Sequence, residues 1–214
     1  MTEWGQGKRI LCEAILCTIA LMVFSFFIHH EFPVMLFSFA ALAAVSLIIG
    51  KNIRTSYDLR RYTGELSVLR IPFIFSLAGF LCGLFLSVLY RYHLDQNLLP
   101  DSFHGFGIIA GIIGVAEEMV FRGFIQGSVR QVNVPASVLL GTLSHTGYKC
   151  CLFLSPAIAG NIDIGYLAFW TFGAGIVLGV LRQISKSIIP CLVAHGLFDI
   201  LVYAGFSAAP WWVW

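Results

Sequence analysis

The sequence predicts an all-α polytopic membrane protein with about seven transmembrane helices. Of its 214 residues, 58% are hydrophobic and 11% are charged, whereas soluble domains carry roughly 25% charged residues. Apolar runs of about 17 residues or more recur along the chain, each long enough to cross a bilayer. Basic residues concentrate in the short segments between alternate runs. Together these features predict an integral protein of the cell membrane.

Seven apolar runs are predicted spans: 10–28, 33–50, 71–90, 105–131, 134–155, 164–181 and 187–206. The first follows Lys8 and Arg9 as a signal peptide would, but it is too long and lacks a small-residue cleavage site, so we expect it to be uncleaved. We expect three regions: N-terminal spans with a basic loop (1–104), a core (105–206) and an interfacial tail (207–214). The tail contains Trp211, Trp212 and Trp214, a residue type enriched at the membrane boundary.

The distribution of basic residues predicts the orientation. With seven spans, ten of the thirteen lysines and arginines fall on one side: Lys8, Arg9, Lys51, Arg54, Arg60, Arg61, Arg70, Arg130, Arg182 and Lys186. Arg91 lies on the other side, and Arg122 and Lys149 lie inside spans. Cytosolic loops carry the excess of positive charge. The N-terminus is therefore predicted in the cytosol and the C-terminus outside it.

The most polar segment, 51–70, has two interpretations. Its apolar residues Leu59, Tyr62, Leu66 and Leu69 recur at helical spacing, which favours a short amphipathic helix in the membrane interface. A plain basic connector is the alternative.

Composition excludes some classes of partner and site. The net charge of +2 is small and is distributed over loops, so we expect no nucleic-acid partner. The six cysteines lie in apolar stretches without CxxC spacing. We predict neither a disulfide framework nor a thiolate metal site.

Three formal charges interrupt the fourth run, in the sequence Ala-Glu-Glu-Met-Val-Phe-Arg-Gly of residues 116–123. A charge near the bilayer centre costs at least about 2.5–3.5 kcal/mol and therefore usually faces a partner or a wet cavity. Glu118 and Arg122 are spaced i, i+4 and share a helix face, so we expect Arg122 to neutralise Glu118. Glu117 points elsewhere and is predicted to be a general acid or base. A purely structural triad or a proton path is the alternative.

Three further polar residues in spans reach the depth predicted for Glu117. A helix rises about 1.5 Å per residue. Counted from the cytosolic ends of the predicted spans, Glu117, His145, His195 and Asp199 therefore lie at a depth of roughly 12 to 20 Å. His195 and Asp199, at i, i+4, share a helix face. We therefore predict one shared site, whereas Lys149, one turn beyond His145, is expected to snorkel or pair.

These residues resemble the motifs of the CAAX-protease and bacteriocin-processing family of intramembrane endopeptidases, also called the Abi family. Its Glu-Glu-x-x-x-Arg motif matches Glu117, Glu118 and Arg122, and its His-x-x-x-Asn/Asp motif matches His195 and Asp199. Its Phe-x-x-x-His motif matches at His145, but Gly141 stands at the Phe position. The resemblance covers roughly residues 105–205.

The resemblance implies cleavage near the C-terminus of a membrane-associated or lipid-modified protein. Glu117 with His145 would activate water, His195 with Asp199 would stabilise the oxyanion or orient the substrate, and Glu118 with Arg122 would support the site. Family members are described as metalloproteases and as metal-free glutamate-dependent enzymes. The same four residues, Glu117, His145, His195 and Asp199, could hold Zn²⁺ with an open position for water. We favour the metal-free route because Glu117 cannot comfortably be both ligand and base.

The substrate class stays open among prenylated CAAX proteins, bacteriocin-like peptides and C-terminal sorting tails. Gly141 leaves open whether the chain is active. Two other functions are compatible with the residues. A non-hydrolytic family member would bind peptide tails as a membrane partner or chaperone. A proton-coupled transporter would use the buried Glu and His residues as a relay, but the sequence lacks an apparent internal repeat.

Overall fold

The computed structural model describes residues 3–67, 73–156 and 163–207, which are helical apart from short connections. The helices are α1 (Glu3–Phe27), α2 (Leu36–Asn52), α3 (Ser56–Thr63), α4 (Phe73–His93), α5 (Gly105–Glu118), α6 (Gln126–Val129), α7 (Val134–Leu154), α8 (Ile164–Ser185) and α9 (Ile189–Tyr203). A π-helical segment, Met119–Ile125, joins α5 to α6. The all-α prediction is confirmed for these residues.

Several helices have the length and composition of membrane spans. Within the described ranges, Gln6–Phe27, Phe73–His93 and Ile164–Ser185 are each long and apolar enough to cross a bilayer. A fourth candidate is α2 with α3, which meet at a bend of 110°. Helix α9 is apolar but shorter. The chain is therefore an integral membrane protein.

The predicted runs coincide with the observed helices, but some predicted features lie beyond the described residues. These are the start of the third run at 71–72 and the tail tryptophans Trp211, Trp212 and Trp214. The amphipathic helix forms over Ser56–Thr63 and includes Leu59 and Tyr62. Leu66 follows its end, and Leu69 is outside the described ranges. All six cysteines lie in the described ranges and are free thiols there.

The chain divides into two compact units, of which the first comprises Met1–Thr63 and Gly123–Gly179. In it, α1 packs on α2 and α7. Buried hydroxyls of Thr18 and Ser144 form a hydrogen bond of 2.7 Å between α1 and α7. The carboxylate of Glu13 accepts a 2.8 Å bond from Asn52. Polar side chains thus link helices whose outer faces are apolar.

The second unit comprises Gly64–Arg122 and Val180–Trp214, and α9 is its central helix. Helix α9 packs against both α4 and α5. A Cβ added at Gly79 or Gly83 of α4 would lie 3.0 Å or less from backbone atoms of Pro190 or Ala194. Small residues let helix backbones approach closely in lipid. These glycines therefore fix α4 tightly against α9.

Gly107 and Gly111 of α5 also lie close to α9. At the far end of α9, the buried Arg91 guanidinium donates to three backbone carbonyls, those of Asn97 at 2.7 Å, Leu201 at 3.2 Å and Leu99 at 3.4 Å. The bond to Leu201 satisfies a carbonyl that the end of α9 leaves without a helical partner. Arg91 thereby links the C-terminal end of α4 to the C-terminal end of α9.

Candidate active site

The site begins where α5 changes its backbone geometry. Glu117 and Glu118 are the last two residues of α5, and Arg122 lies within the π-helical segment. The Met119 N–H faces the carbonyls of Val115, Ala116 and Glu117, which marks the change in hydrogen-bond register. π-helical turns are rare and occur frequently at functional sites.

The predicted ion pair between Glu118 and Arg122 forms within the second unit. The Arg122 guanidinium donates to Glu118 Oε1 at 2.9 Å. The side chains are 0% and 1% exposed, so water contributes little to screening this pair. A guanidinium this close stabilises the charged form of a carboxylate.

The same carboxylate also orients His195. His195 Nδ1 lies 2.9 Å from Glu118 Oε1. Because an ionised carboxylate only accepts hydrogen bonds, Nδ1 carries the hydrogen and donates it. A carboxylate on one ring nitrogen fixes the orientation of the imidazole and leaves the other nitrogen for chemistry. Here that other nitrogen is Nε2.

His195 Nε2 points towards two further carboxylates. It lies 3.5 Å from Asp199 Oδ2 and 3.8 Å from Glu117 Oε2. All three side chains are buried. Glu117, His195 and Asp199 thus form what we call the acidic cluster. The arrangement can bind water or a cation, and it can move protons between carboxylate and imidazole.

The fourth predicted residue, His145, lies on α7 in the first unit and is buried. Its neighbour Ser144 bonds to Thr18. Gly141, one turn before it, is buried as well. The ammonium of Lys149 lies 5.5 Å from the centroid of the Tyr148 ring, a cation–π contact.

A comparison with protein families finds a match to the part of the chain that contains the site. The family described as type II CAAX prenyl endopeptidase Rce1-like matches residues 99–201. This match supports membership of the CAAX protease and bacteriocin-processing family. The matched range contains Glu117, His145, His195 and Asp199. Searches of curated proteins and of solved structures found no match.

Members of this CAAX protease family are endopeptidases, which supports protease activity for the chain. A protease of this family implies a protein or peptide substrate in a membrane context. The match is to the part of the chain that contains the acidic cluster and the Glu118–Arg122 pair.

The charges of the site fit a cation or an added proton. Three carboxylates (Glu117, Glu118, Asp199) and one guanidinium leave an excess of two negative charges when His195 is neutral. A buried charge is costly unless it is paired and hydrogen-bonded. One imidazole nitrogen and two carboxylates are donors that Zn²⁺ accepts. Protonation of His195 or Glu117 also reduces the excess.

Sequence reasoning missed two features of the site. It paired Glu118 only with Arg122 and did not predict the bond to His195, because α5 and α9 are far apart in sequence. It also missed Gly114, which lies against Asp199 and His195. The one available signal was spacing, since Gly114 is three residues before Glu117 and shares its helix face.

Proposed function

We propose that this protein is a glutamate-dependent intramembrane endopeptidase that cleaves near the C-terminus of a membrane-associated or lipid-modified protein. The proposal includes seven spans, with the N-terminus in the cytosol and the C-terminus outside. The observation that carries it is the acidic cluster, in which His195 Nε2 faces Glu117 and Asp199 while Glu118 holds Nδ1. A family of CAAX-type endopeptidases adds support.

Glu117 is the proposed general base. Its carboxylate takes a proton from water, and the water oxygen attacks the carbonyl carbon of the peptide bond. His145, as a second acceptor, orients the water. Glu117 then gives the proton to the amine that leaves when the C–N bond breaks. This cycle restores the carboxylate, as general acid–base catalysis requires.

His195 is the proposed donor to the oxyanion. In its protonated form Nε2–H would point towards the developing negative charge, and such preorganised donors supply a large part of catalysis. Asp199, one helical turn away at 3.5 Å, stabilises the protonated ring. Glu118 fixes the ring plane from the other side.

Zn²⁺ is the alternative activator of water. Glu117, His145, His195 and Asp199 would hold it, and the ion would supply a bound water of lowered pKa. We propose the metal-free route, because Glu117 is then available to accept the proton. Metal analysis of the purified protein and activity after chelation distinguish the two routes.

The substrate is best sought without assuming its class, since prenylated tails, bacteriocin-like peptides and sorting tails all fit. Membranes containing the wild type or Glu117→Gln are compared by mass spectrometry of protein termini. Glu31→Gln, at an exposed glutamate, is the matched control. We expect at least one terminus to appear with wild type and Glu31→Gln and to disappear with Glu117→Gln. Identical termini in all three samples would contradict the proposal.

Cellular complementation separates hydrolysis from binding. If Glu117→Gln restores the phenotype of a deletion strain as well as wild type does, the protein acts as a binding partner or chaperone of peptide tails. Failure of Glu117→Gln, with normal membrane levels, supports the endopeptidase.

A further inference from the structure

Gly114 lies beside the acidic cluster, on the face of α5 that meets α9. A Cβ added there would overlap Asp199 Oδ2, and it would come within 3.0 Å of His195 Cδ2 and 3.2 Å of Asp199 Cγ. Real Cβ atoms essentially never come as close to another atom as this one would to Asp199 Oδ2, and the other two contacts are tighter than nine in ten real ones. The space next to Gly114 is therefore occupied by the Asp199 carboxylate, and a side chain would compete for it.

The other glycines at this helix contact have different neighbours. A Cβ at Gly107 would lie 3.0 Å from the backbone Cα of Ala204, and one at Gly111 would meet the Ile200 side chain and the Gly196 carbonyl. Those two glycines set the spacing between the backbones of α5 and α9. Among the described glycines of α5, Gly114 is the one whose missing side chain leaves room for a carboxylate.

Helix α9 has little freedom to move away from an added methyl group at position 114. Gly79 and Gly83 of α4 are in close contact with the α9 backbone at Pro190 and Ala194, so α4 already packs tightly against α9. Packed interiors resist added volume, and overpacking forces side chains out of their preferred rotamers. The side chain of Asp199 is the group that would give way.

We propose that Gly114 is a positioning residue that allows the Asp199 carboxylate to face His195 Nε2. The proposal rests on the proposed endopeptidase function only where turnover is concerned. Asp199 Oδ2 lies 3.5 Å from His195 Nε2, and an alanine at 114 would displace that oxygen. The protonated His195 would then lose its partner on α9, while Glu118 would still hold Nδ1.

A double-mutant cycle on thermal stability tests whether Gly114 acts through Asp199. The purified full-length variants are Gly114→Ala, Asp199→Ala and the double substitution. We expect Gly114→Ala alone to lower Tm by roughly 2–12 °C. In the Asp199→Ala background the same change should leave Tm unchanged or raise it, because alanine favours a helix over glycine. Equal losses in both backgrounds would overturn the proposal.

Turnover tests the consequence for the reaction. On a quenched peptide that carries the cleaved sequence found by the terminus comparison, Gly114→Ala should lower kcat about 100-fold with little change in KM. Gly107→Ala, the matched control at a backbone contact, should lower Tm but keep the kcat of the folded protein. Wild-type kcat in Gly114→Ala would overturn the positioning role.

Gly105→Ala controls for the substitution itself, because a Cβ there meets nothing within 4 Å among the described residues. We expect it to change neither Tm nor kcat. If the wild type cleaves no peptide, the proposed function fails, and the thermal cycle still decides whether Gly114 acts through Asp199.

Discussion

At the scale of single residues, Glu118 connects the buried Arg122 to His195 of the acidic cluster. Its Oε1 atom accepts from Arg122 and from His195 Nδ1, each at 2.9 Å. One carboxylate therefore neutralises a buried guanidinium and fixes the imidazole that faces Glu117. Glu118 thus contributes to stability and positions His195, whereas the proton transfer is proposed for Glu117.

Removing one member of the Glu118–Arg122 pair should mainly lower the stability of the folded protein. We expect Arg122→Ala and Glu118→Gln to lower the free energy of unfolding by about 3–5 kcal/mol, because each leaves a buried charge uncompensated. Thermal unfolding of purified protein and the yield of folded protein measure this.

Arg9 and Glu13 provide a matched control for that prediction. They form an i, i+4 pair at 3.0 Å, but Arg9 is 49% exposed. We expect Arg9→Ala to cost about 0.3–0.5 kcal/mol, as for exposed helical pairs. Equal losses for Arg9→Ala and Arg122→Ala would contradict the assignment of a buried, unscreened pair.

The residue pattern predicted the local pair and not the contact between helices. Glu118 and Arg122 are neighbours on one helix, so their spacing alone indicated the ion pair. The Glu118–His195 bond joins residues 77 positions apart. Its formation depends on how α5 and α9 pack, which the spacing of charges does not encode.

At the scale of elements, the contact of α4 with α9 depends on two glycines. Gly79 and Gly83 bring the α4 backbone against Pro190 and Ala194. We expect Gly83→Leu to prevent this approach and to lower the fraction of protein that elutes as a single folded species in size-exclusion chromatography. Buried backbone atoms cannot give way as a flexible side chain can.

Gly173→Leu on α8 is the control, because an added Cβ there meets nothing within 4 Å in the described part of the chain. It should elute as wild type does. A normal elution profile for Gly83→Leu would contradict the prediction, because α4 and α9 would then tolerate wider spacing.

Hydrophobic runs located the helices well, because long apolar segments in a membrane protein have few alternatives to helix. They did not predict the π-helical segment Met119–Ile125, since a π turn changes backbone hydrogen bonds without a distinct periodicity in sequence. They also did not predict Gly79 and Gly83 as contacts, because a glycine's role depends on what faces it.

At the scale of the whole molecule, the distribution of basic residues predicts the orientation of the chain. The prediction requires seven spans, and three or four helices in the described ranges have the length and apolarity of a span. The short α9 can still cross if the bilayer thins locally, at modest cost.

Accessibility of tags at the two termini tests this orientation. In intact cells a C-terminal tag should be accessible to protease or antibody, whereas an N-terminal tag should become accessible only after permeabilisation. A tag on the loop after α3 should behave like the N-terminal tag. If both terminal tags lie on the same side, the number of spans is even and the predicted orientation is wrong.

The central claim is that Glu117 makes water nucleophilic for peptide hydrolysis. The most direct measurement is cleavage of the identified peptide, in water enriched in ¹⁸O, by purified wild type and Glu117→Gln of equal thermal stability. We expect wild type to place ¹⁸O in the new carboxyl terminus and Glu117→Gln to lose cleavage. Cleavage by Glu117→Gln at the wild-type rate would contradict the claim.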